Sequence, residues 1–534
     1  MPESTEQFAP AALAEAIEAY LAEHPAAAIL EDGQVLFDMH LASYSISTAH
    51  GRCVLQLWSD ERNLVRSIVS LQYRTSCLRL MTRRMGVLKP VALELVPTRD
   101  RRTPTARDAA RRQYLRLIQR VLLRRFPDHT PDGLRSATDL EHSFGPAYAR
   151  GRLLKGTTAE AVIGVGSEES SSTVDGILTL GLLWLDHCRK HTAANNSRLR
   201  HFTGLKIIVP AGTWRTTAER LAWLNHNLAS FQLFTLDERS EELIEIDYRD
   251  IGNLDAGLVH AFDATAALSR AQVGIDQLLA LLPPVARSRV ELRARSASEV
   301  SLSLHGLEFA CVRHAGAIHS FAARQEITFG AGAHETSLTD ESAPLCRELL
   351  SRLFLSRHPD GQHTDPLFRL QPERWLESQL RLHLEELMPI LRGEFLYNQV
   401  PALSTGDRGM LDLLTVDRDG RLVVIEVKAN EDMQLPMQGL DYWIRVRTLH
   451  ADRRLAGNRE LGAFERHGYF TQPTPGAELS SLSPRLLLVA PALRIHPSNE
   501  IVLRYLSPEV EWELVAVSEH WRQDLKVVFR KRSS

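Results

Sequence analysis

DRGMLDLLTVDRDGRLVVIEVKANED, residues 407–432, holds two apolar runs separated by a short polar hinge that ends in glycine. Side chains alternate along a strand, so Glu426 and Lys428 share one face of the second run, and Asp412 joins them only if it stands opposite Glu426. The pairing that sets 412 against 426 also sets 417 against 421. It leaves Arg418, Asp419 and Gly420 as a three-residue loop, a favoured hairpin connection in which the glycine takes the left-handed conformation. A two-residue loop would slip the register by one and send the carboxylates to opposite faces.

Two carboxylates and an ammonium group gathered at the end of greasy strands repel one another or lose hydration, unless a cation joins them. Asp412 and Glu426 offer oxygen ligands to a hard divalent cation, Mg²⁺ or Mn²⁺, and a main-chain carbonyl near Val427 can add a third. Such a cation holds a water and a phosphoryl oxygen together, and Lys428 is placed to orient that water or to screen charge developing on phosphorus. Downstream, QGLDY sets Gln438 and Tyr442 four residues apart and so on one side of the following helix. Upstream, Glu377 in WLESQL can lean in as a further acidic ligand, with Glu373 one turn earlier as its substitute.

The series of helix with Glu, strand with Asp, strand with Glu-x-Lys and helix with Gln-x-x-x-Tyr resembles the PD-(D/E)XK nuclease superfamily. The Gln-x-x-x-Tyr element is similar to that of its RecB-type members, and GMLDLL…GRLVVIEVK is similar to the catalytic domain of NucS-like endonucleases. Leu411 departs from the proline of the nominal motif. The resemblance covers residues 371–520. It implies a restriction-endonuclease-like α/β domain with a central mixed sheet that cleaves DNA phosphodiesters with a bound metal. Asp412, Glu426 and Lys428 would be its catalytic set, and Gln438 and Tyr442 its accessory motif.

With 534 residues the chain exceeds one core, since domains run to about 100–200 residues. Its 44% hydrophobic and 24% charged residues suit a folded α/β multidomain protein and exclude a largely disordered one. The spacing predicts a β-rich N-terminal domain with a basic helix over 1–130, an α/β domain over 131–255, an α+β domain over 256–365 and the nuclease-like domain over 366–534. A linker is expected at SRHPDGQHTDPLF, residues 356–368. AVIGVGS, GLKIIVPAG and FQLFTLD match VVIEVKA, RLLLVAPAL and EWELVAV in order, with a helix in each gap. That points to a diverged internal copy in which Gly164 and Gly166 stand where Glu426 and Lys428 stand, leaving it without chemistry.

The balance of 63 basic and 66 acidic residues, net −3, rules out a global polycation, so contacts to a nucleic-acid backbone must be local. Candidates are Arg112, Arg116, Arg120 and Arg124, repeating every four residues along one helix, Arg408 beside the nuclease-like motif, and the terminal FRKR, Phe529 to Arg532. Five widely separated cysteines without a CxxC pair indicate neither a disulfide framework nor a zinc knuckle. MPESTEQFAP lacks the regions of a signal peptide, and no apolar run reaches a membrane span, so a cytoplasmic protein is expected. Its expected partner is DNA of open strand state, with a homo-oligomer or a protein partner also open. The rivals are an RNA-cutting enzyme of the same fold and a non-catalytic nucleic-acid-binding scaffold.

Overall fold

The computed structural model describes the chain except residues 1–8, 32–33, 49–50, 60–62, 75–76, 84–89, 98–99, 101–102, 140–142, 195–199, 253–256, 316–323, 333–335, 405–406, 473–474 and 534. It is a mixed α/β protein built on four main sheets.

The first sheet has seven antiparallel strands between Ala28 and Val96. One face alternates Cys53, Leu55 and Leu57 with Ile68, Leu78 and Leu80, and it is covered by the helix Pro10–Glu23 through Leu13, Ile17 and Leu21. The basic helix Pro104–Arg125, grouped with this domain on the sequence, belongs elsewhere. Its apolar stripe of Tyr114, Ile118 and Leu122 packs on Val162, Ile208 and Phe234 of the second sheet. Apolar burial, not proximity in sequence, decides which sheet a helix covers.

The second sheet runs Thr130–Arg135, Tyr148–Lys155, Thr158–Val165, His201–Pro210, Ser230–Asp237 and Glu242–Ile246 from edge to edge. Successive pairs are antiparallel, antiparallel, parallel, parallel and antiparallel. The C-terminal sheet runs Tyr397–Ser404, Asp407–Val416, Leu422–Val427, Arg485–Pro491, Trp512–Val517 and Val527–Arg532, and its pairs follow the same five senses. The short strand Gly257–Leu258 adds one more edge to it. In both sheets a long helix lies between the third and fourth strands, Ile177–Ala194 in one and Leu435–Ala451 in the other, and a shorter helix precedes the fifth.

The two units face each other across one continuous core. Their contact is reciprocal: the Asn225 N–H donates to the Tyr505 carbonyl and the Ser507 N–H to the Trp223 carbonyl, each at 2.8 Å, on either side of a bridge between Leu224 and Leu506. The Arg189 guanidinium lies over the Tyr505 ring at 6.0 Å, and Arg447 lies over Trp223 at 4.4 Å. A two-fold relation between the units accounts for both matched pairs.

Between them in sequence comes a five-stranded antiparallel sheet, residues 291–337, with the helices Ala264–Ala280 and Ala343–Ser356 packed on its apolar face. The segment 356–368, read as a linker, is pinned in place. Arg357 is fully buried and donates to the carbonyls of Leu304, His305, Leu367, Leu370 and Gln371. Among the described residues no helix is long and apolar enough to cross a membrane, and none of the five cysteines forms a disulfide.

Candidate active site

The hairpin at the centre of the C-terminal sheet pairs Leu413 with Ile425, Leu414 with Val424, Thr415 with Val423 and Val416 with Leu422. One step further along this register, Asp412 stands opposite Glu426. At the other end the Asp417 N–H donates to the Arg421 carbonyl at 2.9 Å and the Gly420 N–H to the Asp417 carbonyl at 3.0 Å, which closes the loop over 418–420. Asp417 Oδ1 holds the loop from inside by accepting the N–H groups of Asp419 and Arg421. Gly420 sits at φ +75°, and a Cβ there would lie 1.9 Å from the Glu478 carbonyl oxygen, so only glycine fits.

Leu422–Val427 is buried at every position, as a central strand covered on both faces must be. Val423, Ile425 and Val427 pack with Trp375, Leu376 and Leu380 of the helix Pro372–Leu382. Leu422 and Val424 pack on the other side, with the helix Leu435–Ala451. Glu426 continues this second series, so alternation carries a carboxylate to the place where a third apolar side chain would go.

There the Asp412 and Glu426 carboxyls face one another, each acting on the other's charge. Asp412 Oδ2 also accepts the Val427 N–H at 3.0 Å, and Lys428 Nζ lies 3.3 Å from Glu426 Oε1. Glu426 Oε2 is buried without a hydrogen-bond partner. Burial, with the Asp412 charge adding to it, holds the Glu426 carboxyl well above the usual range against the pull of Lys428. Asp412 is raised too, again by burial, and the Val427 N–H and Lys428 oppose the rise. Burial pulls the Lys428 ammonium down, but Glu426, Glu373 and Asp412 outweigh it and raise its pKa. Both carboxyls of the pair are thus raised when no cation is present, Glu426 the more strongly.

The helix Leu435–Ala451 lies close on the sheet because residue 439 is glycine, where a Cβ would come within 2.5 Å of Leu488 Cδ2. On the same helix Gln438 Oε1 is buried and unpartnered. The Tyr442 phenol is pushed up by burial and then by the charges of Glu426 and Asp412, which places it within their field. Glu377 is buried, not a surface charge. It is held by Arg374 at 2.8 Å and raised to about 6 by burial, with Asp412 adding to the rise. Glu373, raised chiefly by burial, has Lys428 as its strongest charged neighbour. Val427 contributes its N–H to Asp412.

The donor chemistry suits a small hard cation. Among the described residues no three His, Cys, Asp or Glu side chains close into a preformed metal cage. Mg²⁺ needs none, since it binds through one or two carboxylates and keeps waters or substrate oxygens for its other positions. Two converging carboxyls and an orphaned Glu426 oxygen supply acceptors that such a cation or its waters would satisfy.

The matching place in the second sheet differs. Ile163 faces the shared core and pairs with Ile207, as Glu426 pairs with Leu488, and Arg150 stands opposite Ile163 as Asp412 stands opposite Glu426. Arg150 is fully buried against the rings of Phe144, at 4.6 Å, and Trp184, at 5.8 Å. Thus Arg150, Ile163 and Val165 occupy the places of Asp412, Glu426 and Lys428. The expected Gly164 and Gly166 are one residue out of phase, and they lie against Tyr114 on the opposite face. The run AVIGVG is apolar on both faces, which hides its phase.

Of the expected phosphate contacts, Arg120 and Arg124 are both taken by Glu241, while Arg112 and Arg116 are exposed. The side chain of Arg408 lies outside the described residues. In the terminal strand Arg530 and Arg532 pair with Glu513, and Lys531 pairs with Glu500. Two contacts had little or no signal in the sequence. Asp441, on the helix of Gln438 and Tyr442, is held by a two-pronged bond from Arg220 at 2.8 and 2.7 Å, from 221 residues away. Arg374 could have been found from its i,i+3 spacing to Glu377. Compared with protein families, curated proteins and solved structures, the chain matches none of them.

Proposed function

We propose that the protein is a metal-dependent nuclease that hydrolyses DNA phosphodiester bonds, with its active centre at Asp412, Glu426 and Lys428. The observation that carries this reading is the buried carboxyl pair, opposite one another across a central hairpin, with an ammonium 3.3 Å from one of them and an oxygen of that same group left without a partner. A structural core gains nothing from such a cluster, because each charge is desolvated and two repel. A bound Mg²⁺ or Mn²⁺ would supply Lewis acidity and an activated water. Asp412 and Glu426 would hold it, with the Val427 N–H fixing the rotamer of Asp412. Lys428 would set its ammonium against the charge that grows on the phosphoryl oxygens, and Gln438 and Tyr442 would close the pocket from the helix side. Glu377 stays with Arg374 and acts on the centre through its charge.

The second sheet, with Arg150, Ile163 and Val165 at the equivalent positions, is a pseudo-partner of the same build that carries no such chemistry. It favours the scaffold reading for that half alone. The test is digestion of single-stranded, double-stranded and flap DNA, and of RNA, in Mg²⁺, Mn²⁺ and EDTA. Cleavage that depends on the metal supports the reading and names the polymer. Binding without cleavage of any of the four in any metal overturns it in favour of a scaffold.

A further inference from the structure

A second charged cluster lies on the far side of Glu377. The strands Glu291–Ser296 and Glu299–Leu304 pair in regular antiparallel register from Glu291–Ser303 to Ala294–Val300. Val300, Leu302 and Leu304 pack under the helix Ala264–Ala280, so the opposite face is polar. Cross-strand pairing sets Arg293 beside Ser301 and Glu291 beside Ser303 on that face. It is not turned to open solvent. Opposite it stands the helix Pro372–Leu382, presenting Arg374, Glu377 and Arg381, and the two surfaces line a cleft of about 170 Å³. Arg357 ties the wall at Leu304 and His305 to the start of that helix at Leu370 and Gln371, so the gap is held open by fixed supports.

Charge pairing within the cavity leaves one cation over. Arg374 is bound to Glu377 at 2.8 Å, Arg295 to Glu308 at 2.5 Å, and Arg381 faces Glu291 at 3.8 Å. Arg293 has no carboxylate partner among the described residues, and its one hydrogen bond goes to the Asn398 carbonyl at 3.1 Å. Burial pulls its guanidinium down to about 10, against the opposing charges of Glu377 and Glu308, neither of which reaches it as an ion pair. Ser301 and Ser303, both more than nine-tenths buried, line the same space with hydroxyl groups. A planar guanidinium with free donors, beside hydroxyls and in a cavity an anion can enter, matches the recognition of a phosphate.

We propose that this cavity is an anion site that takes a phosphate group, with Arg293 as its principal cation and Arg381, Ser301 and Ser303 beside it. The phosphate is either one of a nucleic-acid strand that passes the Asp412 centre or a free phosphate or nucleotide. The site needs no cleavage, so it stands or falls separately from the nuclease reading.

The test is calorimetric titration of the full chain in EDTA, at constant ionic strength, with inorganic phosphate, 5′-phosphorylated thymidine dinucleotide and a single-stranded oligonucleotide. Wild type is expected to bind phosphate, and Arg293→Gln to weaken that binding by about tenfold, the loss of one charge-assisted contact. Arg381→Gln, on the opposite wall, is expected to weaken it less and serves if the first variant does not fold. Competition by the oligonucleotide assigns the site to the strand, and binding of free phosphate or dinucleotide without that competition assigns it to a small anion. No binding of any probe to wild type, or equal affinity in wild type and the folded variants, overturns the proposal.

Discussion

The backbone N–H of Val427 donates to Asp412 Oδ2 at 3.0 Å, so the strand that carries Glu426 also fixes the carboxylate opposite it. The two acids are thereby held together before any cation arrives, and their burial side by side opposes folding. Glu426 is the more strongly raised, and its folded pKa lies above its unfolded one. Its contribution therefore turns unfavourable as pH rises through the unfolded carboxylate range. We predict that Glu426→Gln stabilises the metal-free protein at pH 7 by about 1–2 kcal/mol, because an amide has no ionisation for burial to oppose. In Mn²⁺ the order reverses, since wild type gains binding energy that the variant cannot. Thermal unfolding in EDTA and in Mn²⁺ reads both signs.

On the proposed function, one catalytic set faces a pseudo-partner without one, so each chain would act on one phosphodiester at a time. Supercoiled plasmid is expected to accumulate as nicked circle well before linear product appears. Linear product formed directly, without a nicked intermediate, would require a second active centre.

The Arg220–Asp441 pair bridges the two units, and Arg220 also donates to the Asp175 carbonyl at 2.6 Å. Arg220→Ala leaves Asp441 partly buried and uncompensated, and the loss is expected to be about 3–4 kcal/mol by urea denaturation. The Arg220→Ala/Asp441→Ala double variant should recover part of that loss.

His305 stacks on Trp375 with ring centroids 4.9 Å apart, and burial, followed by the Arg289 and Arg357 charges, lowers its pKa from 6.5 to about 4. Between these values the unfolded chain binds the proton and the folded one does not, so stability is lost as pH falls from 6.5 toward 4 and levels off below. The expected loss is about 2–3 kcal/mol. Asparagine tolerates the left-handed backbone found here, φ +46°. His305→Asn should flatten the pH dependence of chemical denaturation over that range.

What was legible in the sequence followed from strand alternation and turn chemistry. VDRDGR specifies its own three-residue loop through Asp417 and Gly420, and that loop sets the register that brings Asp412 to Glu426. The order of helices and strands from 371 onward was equally readable, because each apolar run has the length of its element. The phase of the first copy was not, since a strand buried on both faces does not show which residues point where. The destination of the helix Pro104–Arg125 was hidden for a different reason: its stripe of Tyr114, Ile118 and Leu122 fits any apolar sheet. The Arg220–Asp441 bridge and the cavity around Arg293 are products of tertiary folding, formed by residues far apart in the chain.

The most direct test is the rate of phosphodiester cleavage in Mg²⁺ by Lys428→Ala against wild type, with both shown to be folded by circular dichroism. Lys428 also offsets the buried Glu426 charge, so the stability of Lys428→Ala is measured beside its rate and the comparison is made where both proteins are folded. A drop of about 10²–10⁴-fold, with substrate binding kept, is the predicted result. Wild type that cleaves while Lys428→Ala cleaves at the same rate would contradict the assignment of this centre.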